Sequence, residues 1–184
     1  MKATGIVRRI DDLGRIVIPK EIRRTLRIKE GDPLEIYTDR EGEVIFKKYS
    51  PIGELQEFAA EYAETLQKTS SKPIFICDRD EIIAVSGASK KEYLDRRISK
   101  GLEEIVESRA LYVRDSGKEA VALTSEGGSH YVNCAMPILS EGDVIGCVIS
   151  GHQYDAPHNS KISEETESKL IQTAGMFLGR QMES

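Results

Sequence analysis

The first fifty residues have the fewest ways to fold. Residues 4–10 and 15–18 are rich in β-branched side chains, with the turn-forming Asp12-Leu13-Gly14 between them, so two short strands are predicted there. Pro19 suits a first helical turn, where its missing N–H costs nothing. Residues 20–28 then place Ile22 and Leu26 one turn apart, flanked by Arg23, Arg24 and Arg27, and Gly31-Asp32-Pro33 stops the helix. A hairpin of residues 34–38 and 43–48 follows around Asp39-Arg40-Glu41-Gly42, with Leu34, Ile36, Val44 and Phe46 expected to face inward. Four short strands and one short helix bury too little apolar surface to be stable alone, and domains this small need a staple or a partner. This segment has neither cysteine nor histidine. The expectation is an obligate dimer with interleaved strands.

Charge separates this head from the rest. Residues 1–50 hold 12 Lys+Arg against 9 Asp+Glu, whereas the remainder holds 14 against 22. A basic head attracts polyanions while an acidic body keeps the chain soluble. The arginines are interleaved with Ile, Val and Leu in regular patterns, which a solvated tail lacks. No apolar stretch approaches the roughly 18 residues of a membrane span, and Arg8 and Arg9 stand where a secretory signal needs its apolar region. A cytoplasmic protein is expected, with no membrane partner.

Tyr49-Ser50-Pro51 marks the expected boundary between domains 1–50 and 51–184. After it, Leu55, Phe58, Ala59, Tyr62, Ala63 and Leu66 recur at helical spacing, predicting a linking helix over 52–68. Strands are expected at 72–77 and 82–86 around the turn Asp78-Arg79-Asp80-Glu81, and Ser89 to Glu92 reads as a capping box. Residues 111–114, 119–124, 131–139 and 144–151 read as a meander. A last helix spans 163–182, with Ser163 as N-cap and Leu170, Ile171, Ala174, Phe177 and Leu178 on its buried face. The class is α+β with a central antiparallel sheet.

The run from Gly14-Arg15-Ile16-Val17-Ile18-Pro19-Lys20-Glu21-Ile22-Arg23 through Leu26-Arg27-Ile28 to Gly31-Asp32, with Thr4-Gly5-Ile6-Val7-Arg8-Arg9-Ile10 before it, resembles the swapped-hairpin DNA-binding domain of the AbrB family of bacterial transition-state regulators. The resemblance implies a dimeric barrel of two interlaced chains, with arginines on one face contacting DNA. The matching positions are Arg8, Arg15, Arg23 and Arg24, and arginine's rigid fork suits phosphate oxygens and guanine edges. The second domain resembles a GAF domain, and the two together resemble the two-domain sporulation regulators of spore-forming Firmicutes. That resemblance implies a regulator, activator and repressor, of sporulation genes that binds AT-rich double-stranded promoter DNA in the forespore cytoplasm. It also implies a homodimer through residues 1–50 and a homotetramer through the GAF-like domain. It leaves room for an unidentified small ligand, assigns no residue to it, and implies no cofactor.

Two other readings compete. Some GAF-like domains reduce methionine sulfoxide with paired cysteines, but Cys77, Cys134 and Cys147 sit in apolar runs where cysteine behaves as a small hydrophobe. Swapped-hairpin heads also serve antitoxins, yet residues 51–184 are periodic and capped, unlike a short wrapping tail. His130, His152 and His158, even with Asp155, fit no compact ligand spacing and are expected to be solvent-exposed. The Ser86-Gly87-Ala88-Ser89 segment lacks phosphate-loop spacing. Glu103, Glu104 and Glu107, the pair Asp78 and Asp80, and the pair Arg96 and Arg97 are read as surface or turn residues.

Overall fold

Pro19 opens the first helix, α1 (Lys20–Thr25), in a computed structural model that describes residues 5–54, 56–157 and 161–183. The helix ends three residues earlier than its apolar pattern predicts. Arg27 takes a φ of 51°, and the Ile28 N–H donates to the Arg23 carbonyl at 2.8 Å, closing the last turn before Gly31 is reached. The strands β1 (Leu34–Thr38) and β2 (Val44–Lys48) then pair antiparallel, with Ile36 opposite Phe46 and Thr38 opposite Val44. That register puts Leu34, Ile36, Val44 and Phe46 on one face, but within this chain the face is not inward. Ile36 is 61% exposed and Val44 57%, because nothing in the same unit covers them. Residues 5–10 and 15–18 form no strand among the described residues, since a strand is defined by a ladder and no neighbouring strand lies beside them. Ile6, Val7, Ile10, Leu13, Ile16 and Val17 are exposed with them.

The chain divides into two compact units after Tyr49. The second begins with α2 (Pro51–Glu54) and α3 (Gln56–Ser70). Ala59, Ala63 and Leu66 are buried on α3, and Leu55 lies outside the described residues. Next come β3 (Ile74–Cys77), β4 (Ile82–Ser86), α4 (Lys90–Tyr93), α5 (Lys100–Glu107), β5 (Tyr112–Val113), β6 (His130–Ser140), β7 (Asp143–Gln153) and α6 (Glu164–Gln181). The five strands form one antiparallel sheet in the order β4-β3-β7-β6-β5.

This order corrects the expected meander, because β7, the last strand, inserts between β3 and β6. Residues 119–124 contribute only the isolated bridges Ala122 to Tyr131 and Thr124 to Ile98. The central position of β3 and β7 explains their unbroken apolar runs. Ile74, Ile76 and Val148 pack on the α3 and α6 side, while Phe75, Cys77, Cys147 and Ile149 pack on the α5 side. The sheet is thus a middle layer with helices on both faces.

Two local expectations change. Ser89 precedes α4 without a side-chain cap, and Glu92 instead accepts the Ser129 N–H at 2.6 Å, tying α4 to the loop before β6. Phe177 on α6 is 41% exposed, and the buried first-turn residue is Glu167. Ser163 caps α6 as expected, accepting from the Thr166 N–H at 3.1 Å. Gly179 lets α6 lie directly on β6, since a Cβ there would collide with the Leu139 carbonyl oxygen.

No helix among the described residues is long and apolar enough to cross a membrane.

Candidate nucleic-acid interface

The turn between residues 11 and 15 is organised by one carboxylate. Asp11 Oδ1 accepts the Leu13 N–H at 3.0 Å and the Arg15 N–H at 2.7 Å, while Oδ2 accepts Arg15 Nε at 2.9 Å. The backbone closes the same turn, with Asp11 N–H to the Arg15 carbonyl and Gly14 N–H to the Asp11 carbonyl, both 3.0 Å. Gly14 sits at a φ of 75°, where a side chain would be strained. The Arg15 backbone N–H, and after it the guanidinium, hold the Asp11 carboxyl below its usual range. Residue type alone credits this turn to Asp12, Leu13 and Gly14 and passes over Asp11. The signal is present all the same, since an Asp at the start of a glycine-containing turn accepts the N–H groups that follow it.

The four arginines singled out from the sequence are all exposed and all lie in the first unit. Arg8 precedes the Asp11 turn and Arg15 leaves it. Arg23 and Arg24 are consecutive on α1, and Arg23 Nε donates to the Ile18 carbonyl at 3.2 Å. Among the described residues no acid pairs with Arg8, Arg23 or Arg24, and Arg15 pairs with Asp11 alone. Exposed guanidinium groups on short, hydrogen-bonded elements are suited to contacting phosphates and base edges.

The second unit offers no reactive thiol. Cys77, Cys134 and Cys147 are all free and buried. Burial pushes the Cys134 thiol up to about 12 and raises those of Cys77 and Cys147 as well. A nucleophilic cysteine needs the opposite environment.

Two histidine expectations are overturned. His130 and His152 are buried rather than exposed, while His158 lies outside the described residues. The backbone N–H of His130 donates to the Tyr93 hydroxyl at 2.9 Å, and its ring Nδ1 lies 3.0 Å from Ser129 Oγ. Burial lowers its pKa. His152 packs on Tyr131 with ring centroids 5.4 Å apart. Both are core-edge side chains with protein partners, and no group of three metal-ligating side chains occurs among the described residues. Asp78 likewise serves its turn, accepting the Asp80 and Glu81 N–H groups at 2.7 and 2.8 Å, and Arg96 pairs with Glu126 at the surface.

The likenesses to known proteins follow the same division. Residues 54–183 match the family model described as stage V sporulation protein T C-terminal, transcription factor. Residues 7–53 match that of the antidote-toxin recognition protein MazE, a bacterial antitoxin. The head is also 65% identical over 51 residues to the transition state regulatory protein AbrB of Bacillus subtilis (strain 168), covering 28% of this chain and 52% of that one. Solved neighbours of the body include a type II free methionine-R-sulfoxide reductase from Thermoplasma acidophilum, with a TM-score of 0.50, 11% identity and coverage of 71% of this chain and 94% of that one. The GAF domain of A. aeolicus nlh2 has a TM-score of 0.48 and 19% identity, covering 68% of this chain and 82% of that one. These last two are likenesses of fold alone.

The class is that of a two-unit transcription factor with an AbrB-like DNA-binding head; it is not an enzyme class. Over 183 residues the chain is 51% identical to stage V sporulation protein T of Bacillus subtilis (strain 168), covering 100% of this chain and 99% of that one. It belongs to the stage V sporulation protein T family.

Proposed function

We propose that this sporulation transcription factor binds AT-rich double-stranded promoter DNA through Arg8, Arg15, Arg23 and Arg24, presented twice by an interlaced dimer of residues 1–50. The observation that carries the reading is the coexistence, in one small unit, of four exposed arginines and an uncovered apolar face. Ile36, Val44, Phe46, Ile16 and Val17 are all exposed, and apolar side chains gathered at the surface of so small a unit favour burial against a partner. A second copy swapping its hairpins over that face covers it and supplies the ladder that residues 5–10 and 15–18 lack. Loosely defined AT-rich targets are read partly through groove shape and deformability, so some arginines meet bases and others phosphates.

Arg23→Ala tests the assignment. The truncated side chain no longer reaches a base or a phosphate in either protomer, so affinity for promoter DNA is expected to fall by more than 1 kcal/mol, roughly the scale of one good arginine–base pair. Fluorescence anisotropy on the full chain reads this, and unchanged affinity overturns the assignment of Arg23.

The body is proposed to join dimers into a tetramer through α3 and α6. Phe58, Tyr62 and Phe177 stack across these two helices, with centroids 5.4 Å apart for Tyr62 and Phe177, and Phe177 and Met176 remain exposed. An aromatic patch of this kind favours burial against its own copy. Light scattering of the full chain should give a tetramer, and Phe177→Glu should give a dimer that still binds DNA. A wild-type dimer sinks the assembly step. Two heads on one tetramer raise avidity where two sites lie within reach. Activation and repression of sporulation genes in the forespore cytoplasm, with a small ligand of the GAF-like body shifting the helix arrangement, complete the reading.

A further inference from the structure

We propose that Asp11 is a positioning residue that holds Arg15 for base recognition and lowers its attraction to phosphate, trading affinity for discrimination. The proposal rests on the reading of Arg15 as a DNA contact. The Arg15 side chain is 69% exposed, and a free arginine there would sample many rotamers and lose that freedom on binding. Asp11 removes most of the freedom beforehand. Its Oδ1 fixes the Arg15 backbone at 2.7 Å, and its Oδ2 fixes the start of the guanidinium at 2.9 Å. The tie uses Nε alone, so the two terminal nitrogens stay uncommitted among the described residues. Those are the atoms that form a fork to a guanine edge.

The same carboxylate acts against non-specific binding. It brings a negative charge next to a guanidinium that would otherwise attract any phosphate, so the sequence-independent part of the affinity is reduced. The oriented fork retains its hold on a base. Asp11 therefore affects the two kinds of contact in opposite directions, which a residue needed only for the turn would not do.

Asp11→Asn separates these roles. The asparagine Oδ1 still accepts the Leu13 and Arg15 N–H groups and preserves the turn, while the charge and the anionic partner of Nε are removed. The probes are an AT-rich duplex obtained by in vitro selection on the full-length protein and the same duplex with its base order shuffled. The full-length variant is expected to bind shuffled DNA more tightly than the parent does. Its preference for the selected duplex should fall by about tenfold, within the range of one bidentate arginine–base pair. Its plot of log affinity against log salt should steepen by up to about two units, as one further phosphate per protomer of the dimer becomes accessible to a guanidinium.

Weakening of both affinities in parallel, with the preference unchanged, would make Asp11 a structural turn residue and overturn the proposal. Arg15→Ala keeps that failure distinct from failure of the underlying reading. If Arg15→Ala lowers the preference while Asp11→Asn does not, Arg15 reads DNA without help from Asp11 and the proposal falls alone. If Arg15→Ala changes neither affinity nor preference, Arg15 is not a DNA contact and both readings fall. In an Arg15→Ala background, Asp11→Asn should change neither preference nor salt slope, because it acts through that guanidinium.

Discussion

Raising the monovalent salt fourfold, from about 50 to about 200 mM, is expected to weaken promoter binding by up to about 10⁴-fold, the largest effect any simple change of conditions should have on this protein. The proposed dimer would present two copies of Arg8, Arg15, Arg23 and Arg24. If all eight guanidinium groups met phosphates, log affinity would fall against log salt with a slope of roughly −7. Arginines that read bases contribute less, so the measured slope should be shallower than that ceiling yet still steep. The body cannot produce such a response, because outside the head acids outnumber basic residues by 22 to 14. Anisotropy titrations at several salt concentrations measure the slope, and a flat line would exclude phosphate contacts by the head.

Glu167→Ala should destabilise the body by about 3–5 kcal/mol, the cost of leaving the other half of a buried ion pair uncompensated. The Glu167 side chain is 3% exposed and that of Lys72 12%, with Lys72 Nζ 3.5 Å from Glu167 Oε2. Oε1 accepts Asn133 Nδ2 at 2.8 Å and also the Ser150 hydroxyl. One carboxylate thus joins α6 to β6, β7 and the residue pair leading into β3. Its place in the first turn of α6 adds the favourable end of the helix dipole. Removing it strands Lys72 and leaves Asn133 and Ser150 without their acceptor. Replacing Lys72 and Glu167 together with Met and Leu should recover only the part of the loss that comes from the stranded Lys72 charge, because Asn133 and Ser150 still lack their acceptor. Urea denaturation of the full chain measures both. A change below about 1 kcal/mol for the single variant would place the pair among solvated surface ion pairs.

Neither Glu167 nor Asp11 stands out in the sequence. Glu164, Glu165 and Glu167 all suit the positive end of the last helix by residue type, and only the packing of α6 on the sheet selects Glu167 for burial. Phe177 shows the reverse: its spacing from Ala174 and Leu178 suggests burial, but α6 presents it with Phe58 and Tyr62 at the rim of the helix pair. The burial of His130 and His152 escapes the sequence for a related reason. They fall at the start of β6 and the end of β7, which lie side by side, with Tyr131 opposite His152 in the register. Burial at such a place depends on residues that are distant along the chain.

Local chemistry is legible from the residues themselves. Ser163 as a cap, the hairpin around residues 39–43, the Asp78 turn and the unbroken apolar runs of β3 and β7 follow from short-range rules of propensity, capping and periodicity. The sequence alone also determined the division into a basic head and an acidic body, because charge and residue type can be counted without coordinates. Only the tertiary structure decided that β7 inserts beside β3, that α1 closes at Arg27, and which acid, histidine or aromatic side chain meets water. Those outcomes depend on long-range pairing and on the volume left between packed layers, and neither quantity is encoded in any window of neighbouring residues.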